Sequence, residues 1–292
     1  MSTFLQILLR SLETGGVYAL AALAIIIVLR TSMVAHFAQG TMAMFSTYVV
    51  ALLCSKRGFP LWQSLLIGVA VAVAMAFAVD FFIIRRAKRA SAVSKEIITL
   101  GLIMVFLGLA PVVFGVDPQL MPKAIPHGGD FQFLGASISH NAFLNICIGL
   151  FFMGLLFFIL QKTKLGLAVR VTASNEPIAR LMGVSTRNIT LLAWITAGIL
   201  GLLSGVMIAP ATTVTTTLMN PVQLNALFAC VLGGFQTFYG PVLGAYIIGI
   251  GRNLLTYYVS SEWGEQLLYV LLLIFLLLRP NGLIGRKFIK KV

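Results

Sequence analysis

The residues of this sequence that could carry bond chemistry are few and scattered. Only 8 of its 292 residues are Asp or Glu. Glu13, Asp80 and Glu96 fall near the ends of apolar runs, where a solvated or snorkelling charge is the ordinary arrangement. The sequence has no GxxxxGK(S/T) phosphate loop, no HExxH motif and no Ser-His-Asp set at a recognisable spacing. It therefore predicts no catalytic residue, no metal site and no enzymatic activity.

Residues that could couple the protein to an energy source are equally few. A carrier driven by protons or sodium needs buried ionisable groups or unwound polar sites. Arg252 is the one basic residue placed to lie well inside an apolar run. Because a nucleotide loop and a proton relay are both missing, we expect a pore-forming subunit whose energy comes from a separate protein. An integral-membrane enzyme ranks far behind.

The polar segment 161–188 carries a strong local signal for a short helix. Ser174 or Asn175 can cap it, Glu176 suits its positive N-terminal end, and Pro177 is tolerated in a first turn. These residue types in this order predict a helix that begins at about residue 176 and lies outside the bilayer.

That short helix is predicted to have one apolar face. Ile178, Leu181 and Met182 share the face, and Gly183 follows as a left-handed terminator. The residues alone are compatible with two ways of burying this apolar face. The face either packs back on the membrane part or its interface, or it docks on a partner protein.

The elements that must position these residues are membrane helices. Hydrophobic residues make up 59% of the chain and charged residues 10%, against roughly 25% charged in a soluble domain. There are too few polar residues to cover a water-exposed surface. A span needs about 20 apolar residues, and the candidate ranges are 13–29, 38–54, 61–84, 93–116, 141–160, 189–210, 223–238, 240–258 and 265–279.

We therefore predict an all-α polytopic membrane bundle with eight or nine spans, some of them broken or re-entrant. The stretch 223–258 is the least certain, because Gly233, Gly234, Gly240 and Pro241 interrupt it. It forms either two spans or one span and a re-entrant piece. The polar stretches are too short to bury a core. The prediction is thus a single transmembrane domain over 1–292, with the loop 161–188 on the cytoplasmic side.

The formal net charge of +13 sets the orientation. Basic residues gather in 85–95, in 162–187 and after residue 278, which is the pattern of loops retained in the cytoplasm and argues against nucleic-acid binding. The segments 117–140 and 211–222 then fall outside. The three cysteines have no metal-ligand spacing and are expected to be small core residues. Nine spans put the N-terminus outside, and eight put it inside.

Five stretches, in order along nearly the whole chain, resemble the ABC-type importer permeases for branched-chain amino acids. The match is closest to the shorter of the two permease types in that system. The segment 161–188 is similar to the family's cytoplasmic coupling loop. The matching stretches are Gly16-Val17-Tyr18-Ala19-Leu20, Phe37-Ala38-Gln39-Gly40, Lys164 to Arg170 with Ala179-Arg180-Leu181-Met182-Gly183-Val184, Val231-Leu232-Gly233-Gly234 with Gly240 and Gly244, and Arg279-Pro280-Asn281-Gly282-Leu283-Ile284-Gly285.

The resemblance implies a multi-pass subunit of a bacterial inner membrane that works in a complex. Its expected partners are a second, non-identical and longer permease, two cytoplasmic ATPase subunits and an extracytoplasmic solute-binding protein. The chain would bind no cofactor, since ATP would sit on the partner subunits. The coupling loop would seat in a groove on the ATPase through Thr172, Asn175, Glu176, Ile178, Ala179, Leu181, Met182 and Gly183.

The chain departs from the family pattern in its polar positions. His36 stands where Asn is usual, Thr41 where an acid is usual, and Asn225 where Lys is common. His36 either hydrogen-bonds a ligand carboxylate or is satisfied by a neighbouring carbonyl, which is the commoner arrangement. These departures leave the substrate open among branched-chain amino acids, other amino acids, urea and short amides. The predicted substrate pathway consists of His36, Phe37, Gln39, Gly40, Thr41, Asn225, Gly233, Gly234 and Gly240.

A rival function comes from a different class. The chain could be a self-sufficient channel or an ion-coupled carrier for a small neutral solute such as urea or a short amide. Flux through the purified chain alone, without any ATPase, separates this rival from the importer subunit.

Overall fold

A computed structural model describes residues 2–87, 91–125, 129–133 and 136–284. The motif residue Gly285, the basic residues after it, and Lys88 and Arg89 lie outside the described residues. In chain order the helices and strands are α1 (Ser2–Ser32), α2 (Gln39–Arg57), α3 (Leu61–Ala78), α4 (Ala92–Phe114), β1 (Asp130–Phe133), β2 (Ala136–Ser139), α5 (His140–Lys162), α6 (Lys164–Ser174), α7 (Glu176–Leu181), α8 (Thr186–Ile208), α9 (Asn220–Gly233), α10 (Gly240–Tyr258) and α11 (Gly264–Leu278).

The predicted all-α membrane bundle is confirmed. Nine of the helices fall on the nine ranges drawn from the sequence, and the predicted break at 234–239 separates α9 from α10. Within the described residues, five helices are long and apolar enough to cross a membrane. These are Thr3–Ser32, Leu61–Ile84, Val93–Phe114, His140–Lys162 and Thr186–Ala211. The total number of spans stays a prediction, because α9 has 14 residues and is only about 21 Å long.

Helix α1 is the centre of the bundle. It packs against α5, α8, α9 and α10, and 78% of its most apolar window is buried, compared with 22% in α4 and in α5. A helix that is apolar all round and enclosed by others is a core helix, whereas α4 and α5 present apolar faces outward as lipid-facing helices do.

The two ends of the bundle differ in charge. At one end, the loops 117–140 and 211–222 are joined by an antiparallel bridge between Gln119 and Val214, and β1 and β2 form a two-stranded hairpin. We call this the loop end. At the other end, which we call the basic end, Arg85, Lys95, Arg180 and Arg187 line a common cavity with Ser32. The separation of the two ends follows the charge pattern, and the assignment of the basic end to the cytoplasm stays a prediction.

The connection from α1 to α2 turns back into the bundle. Helix α1 finishes at the basic end, where Ser32 lines the cavity just described. The Gln39 side chain at the start of α2 donates from Nε2 to the Ala197 carbonyl at 2.8 Å. Ala197 lies eleven residues beyond the start of α8 at Thr186, or about 17 Å along its axis. Helix α2 therefore begins inside the bundle and runs towards the loop end.

Candidate functional site

The short helix α7 forms as its sequence predicts. The Asn175 side chain caps it by accepting a hydrogen bond from the Ile178 N–H at 3.1 Å, and Pro177 lies in its first turn. Gly183 follows with φ +80°, a conformation that glycine adopts without steric cost. Cap and terminator confine the helix to six residues, Glu176–Leu181.

The apolar residues of α7 point away from the bundle. The exposed fractions of Leu181, Met182 and Ile178 are 87%, 68% and 50%. Ala179 and Thr172, two further residues predicted to contact the ATPase, are buried against the bundle instead. One edge of the helix is therefore apolar and exposed, while the opposite edge is packed against the bundle.

Polar contacts tie α7 to the first residue of α8. Glu176 and Arg180 form an ion pair one helical turn apart. The Thr186 hydroxyl donates to Glu176 Oε1 at 3.2 Å, and Arg180 Nε donates to Thr186 Oγ1 at 3.0 Å. Because Thr186 is the first residue of α8, these hydrogen bonds join α7 to that helix.

A second set of contacts continues from α8 to the third apolar helix. The Arg187 carbonyl accepts a hydrogen bond from Arg85 Nη2 at 3.4 Å, and Arg85 Nε pairs with Asp80 Oδ2 at 2.6 Å. Asp80 belongs to a π-helical turn, Val79–Ile84, that extends α3. Such turns are rare and frequently accompany functional sites. The charge of Asp80, expected from the sequence to be solvated, is instead buried and paired.

The predicted pathway residues of the first polar motif lie inside the bundle. The imidazole of His36 packs on Trp194, with 4.3 Å between ring centroids. The Phe37 N–H donates to Thr99 Oγ1 at 3.4 Å, and the Thr41 hydroxyl donates to the Ala38 carbonyl at 2.9 Å. The expected carbonyl partner of His36 is not found, since its Nδ1 has no hydrogen-bond partner among the described residues.

Several buried polar atoms around the start of α2 share this lack of a partner. Within the described chain, His36 Nδ1, Gln39 Oε1, Trp194 Nε1 and both amide atoms of Gln223 are buried without a hydrogen bond. Gly40 brings Gln223 into this group, since a Cβ atom built on Gly40 would lie 2.9 Å from the Gln223 Cβ. We call His36, Gln39, Trp194 and Gln223 the neutral cluster. Trp194 and Gln223 belong to none of the sequence motifs, so the predicted pathway does not include them.

The remaining polar residue of the predicted pathway, Asn225, belongs to a different group. Its Nδ2 donates to the Pro221 carbonyl at 2.9 Å and to Glu265 Oε1 at 3.3 Å. Glu265 also accepts from the Tyr269 hydroxyl at 2.9 Å and from Arg252 Nη2 at 3.4 Å. Arg252 Nη1 in turn donates to the Tyr18 hydroxyl at 2.8 Å. We call Tyr18, Asn225, Arg252, Glu265 and Tyr269 the charged network.

The glycines of the late motif lie at the turn between α9 and α10. A Cβ atom on Gly233 would overlap the Gly240 carbonyl, so the pair permits close packing of the two helices. The carbonyl of Leu232 accepts from the Leu283 N–H at 2.7 Å, and Arg30 donates to the Gln236 carbonyl. Arg30 also lines a cavity with Lys162, which puts the turn at the basic end.

No metal centre is assembled by the residues that the structure describes, because no three His, Cys, Asp or Glu side chains among them come together. The arrangement offers an exposed apolar edge at one end, neutral polar atoms in the middle, and a charged network towards the other end.

Comparison with known proteins gives a consistent result. A family model described as the permease component of branched-chain amino acid transport systems matches residues 7–277. The high-affinity branched-chain amino acid transport permeases LivH of Escherichia coli (strain K12) and BraD of Pseudomonas aeruginosa are 27% and 23% identical to this chain, each covering 99% of it and 98% of its own length. LivH of Salmonella typhimurium is 26% identical with the same coverage. No solved structure matches the chain.

Proposed function

Because the chain belongs to the family of branched-chain amino acid transport permeases and is a multi-pass membrane protein, we propose that it is a permease subunit of an ATP-binding-cassette importer. It moves branched-chain or related amino acids inward across the inner, cytoplasmic membrane. The rival function, a stand-alone channel or ion-coupled carrier, gains no support from the relatives, whose names are those of transport-system permeases.

The exposed apolar edge of α7 is the observation that carries this proposal. Leu181 and Met182 are among the most exposed large apolar side chains of the described residues, yet they stand beside the polar residues of the basic end. Apolar surface in such a setting is a docking surface. We assign a groove on a cytoplasmic ATPase as the surface that covers this edge. The segment 161–188 is then the coupling loop of a single transmembrane domain over 1–292.

The energy for transport comes from the partners. The sequence carries no phosphate-binding loop of its own, so ATP sits on two ATPase subunits and this chain binds no cofactor. A longer, non-identical permease completes the membrane part, and a solute-binding protein outside the membrane delivers the amino acid.

The contacts described above supply a route from the ATPase to the pathway. Movement of α7 shifts Thr186 and with it α8, and α8 holds the start of α2 through the Gln39 hydrogen bond to Ala197. The pathway then includes the start of α2 and the α9–α10 pair. Its residues in this proposal are His36, Phe37, Gln39, Gly40, Thr41, Asn225, Gly233, Gly234 and Gly240.

The test is a charge placed on the docking edge. Leu181→Asp in the assembled importer, reconstituted in liposomes with its binding protein, is expected to lower ATP-dependent leucine uptake at least tenfold, because a carboxylate would have to be desolvated in the groove. The matched control is Val93→Asp, which places the same charge on an exposed apolar side chain at the start of α4, outside the coupling loop, and is expected to keep uptake within twofold.

Two results would overturn the proposal. One is unchanged uptake in the Leu181→Asp complex, which would show that the edge does not meet the ATPase. The other is leucine or urea flux through liposomes that hold the purified chain alone, which would favour the self-sufficient carrier.

A further inference from the structure

A further cavity opens at the loop end, separate from the α7 edge. It has a volume of about 350 Å³ and lies among α1, α8, α9, α10 and the loop 211–222. Thr212, Thr213, Thr215 and Thr217 line it together with Tyr18 and Arg252. Ile208, Leu218 and Val222 supply apolar walls. We call this cavity the threonine pocket.

Arg252 is the one charged side chain lining the pocket among the described residues. A guanidinium has five N–H donors. Described partners account for two of the Arg252 donors, through Tyr18 at 2.8 Å and Glu265 at 3.4 Å. Its side chain keeps 32% of its surface exposed, so donors remain for an acceptor inside the pocket.

The pocket chemistry selects an anion with an apolar body. Guanidinium groups bind carboxylates through two parallel hydrogen bonds. The threonine hydroxyls add polar groups without a competing charge, although Thr212 donates to the Ile208 carbonyl and Thr215 and Thr217 are bonded to each other. Glu265, which pairs with Arg252, is outside the lining, so the pocket itself presents a guanidinium beside apolar walls.

We propose that the threonine pocket is a binding site for the amino acid as it enters the permease, with Arg252 receiving its α-carboxylate and the apolar walls its side chain. This inference deepens the proposed function and rests on it for the identity of the ligand. It adds an intermediate site at the loop end, ahead of the neutral cluster.

The experiment uses photo-leucine, an amino acid with a diazirine in its side chain, on the assembled importer. Illumination of the wild-type complex is expected to label the peptide that contains 211–222. Arg252→Gln is expected to reduce that label at least tenfold. Arg57→Gln, which removes an equal charge from an exposed residue at the end of α2, is expected to leave it within twofold.

Loss of label could also follow from damage to the charged network, and a second variant separates the two causes. Arg252→Gln with Glu265→Gln removes both charges, so no carboxylate is left unpaired. We expect this double variant to recover the melting temperature of the complex without recovering the label. Label that returns together with the melting temperature would overturn the proposal, as would the absence of label at 211–222 in the wild type.

Competition identifies the group that Arg252 receives. Isocaproate has the carboxylate of leucine without its ammonium group, and isoamylamine has the ammonium without the carboxylate. Only isocaproate is expected to suppress labelling, and suppression by isoamylamine alone would contradict the proposal. Leucine uptake by the wild-type complex is measured in parallel, because failed uptake with intact labelling counts against the proposed function and not against the site.

Discussion

The neutral cluster and the charged network are both polar groups enclosed by apolar helices, but their hydrogen bonding differs. In the network, Glu265 accepts from three side chains, and Arg252 bridges it to Tyr18. In the cluster, the buried atoms of Trp194 and Gln223 have no partner among the described residues. Helix α9 contributes to both, through Gln223 and Asn225.

The difference indicates which region is fixed and which is ready to change. A buried polar atom without a partner costs about 1–3 kcal/mol, so an alternative helix arrangement that supplies partners gains that energy. The network gains less from such a change, since Asn225 Oδ1 is its one buried polar atom without a partner among the described residues. We infer that α1, α9, α10 and α11 stay together during transport, while α2 and α8 shift around the neutral cluster.

The largest effect is expected from breaking the network. Glu265→Leu leaves Arg252 without its carboxylate, and we expect a loss of about 3 kcal/mol in the free energy of unfolding, measured by SDS titration in mixed micelles. The Glu265 and Arg252 side chains keep 30% and 32% of their surface exposed. The expected loss of unfolding free energy is therefore at the lower end of the range for buried ion pairs. Glu262→Leu, at an exposed residue of the same turn, is the control, and equal losses in both variants would refute a special role for the network.

A smaller effect is expected from substitutions on α9, which contributes one residue to the charged network and one to the neutral cluster. Asn225→Leu removes hydrogen bonds to Pro221 and Glu265 and should cost about 1–3 kcal/mol of unfolding free energy. Gln223→Leu removes amide atoms that have no described partner and should change that free energy by less than about 1 kcal/mol, in either direction. The same SDS titration measures both. A larger loss in Gln223→Leu than in Asn225→Leu would reverse the comparison.

The smallest effect probes packing inside the neutral cluster. The Cβ atom of Gly40→Ala would lie 2.9 Å from the Gln223 Cβ. That Cβ is fixed to the α9 backbone, so α2 and α9 must move apart, at a cost of about 1 kcal/mol. Gln223→Gly removes the Cβ as well as the amide, and a double-mutant cycle should show that it recovers most of that loss. Gly101→Ala, where nothing lies within 4 Å of the added atom, serves as the control. A cycle with no coupling between the two positions would contradict this contact.

Local features of the fold could be read directly from the sequence. The span ranges agree with nine helices because apolar runs of membrane length leave few alternatives. The short helix α7 was equally readable, since Asn175, Pro177 and Gly183 act on their own neighbours. The chemistry of the ends followed from the positions of basic residues.

Features that depend on distant partners were not readable. The interruption at Gly233 and Gly234 falls between α9 and α10 as predicted, but the turn back into the bundle between α1 and α2 was not predicted. Glu265 was not recognised as the partner of Arg252. Thr172 and Ala179 were assigned to the docking surface, and the structure turns them towards the bundle.

Composition, hydropathy and capping residues act locally, so they were enough to predict a bundle of membrane helices and the short capped helix α7. Which polar atoms are paired depended on the tertiary structure. Gln223 and Asn225 are two residues apart, and a helix turns about 200° over that distance. They therefore face different neighbours, one in the neutral cluster and the other in the charged network. The α2 residue that Gln223 contacts and the α11 residue that bonds Asn225 are far away in the chain, and only the packing of the helices brings them together.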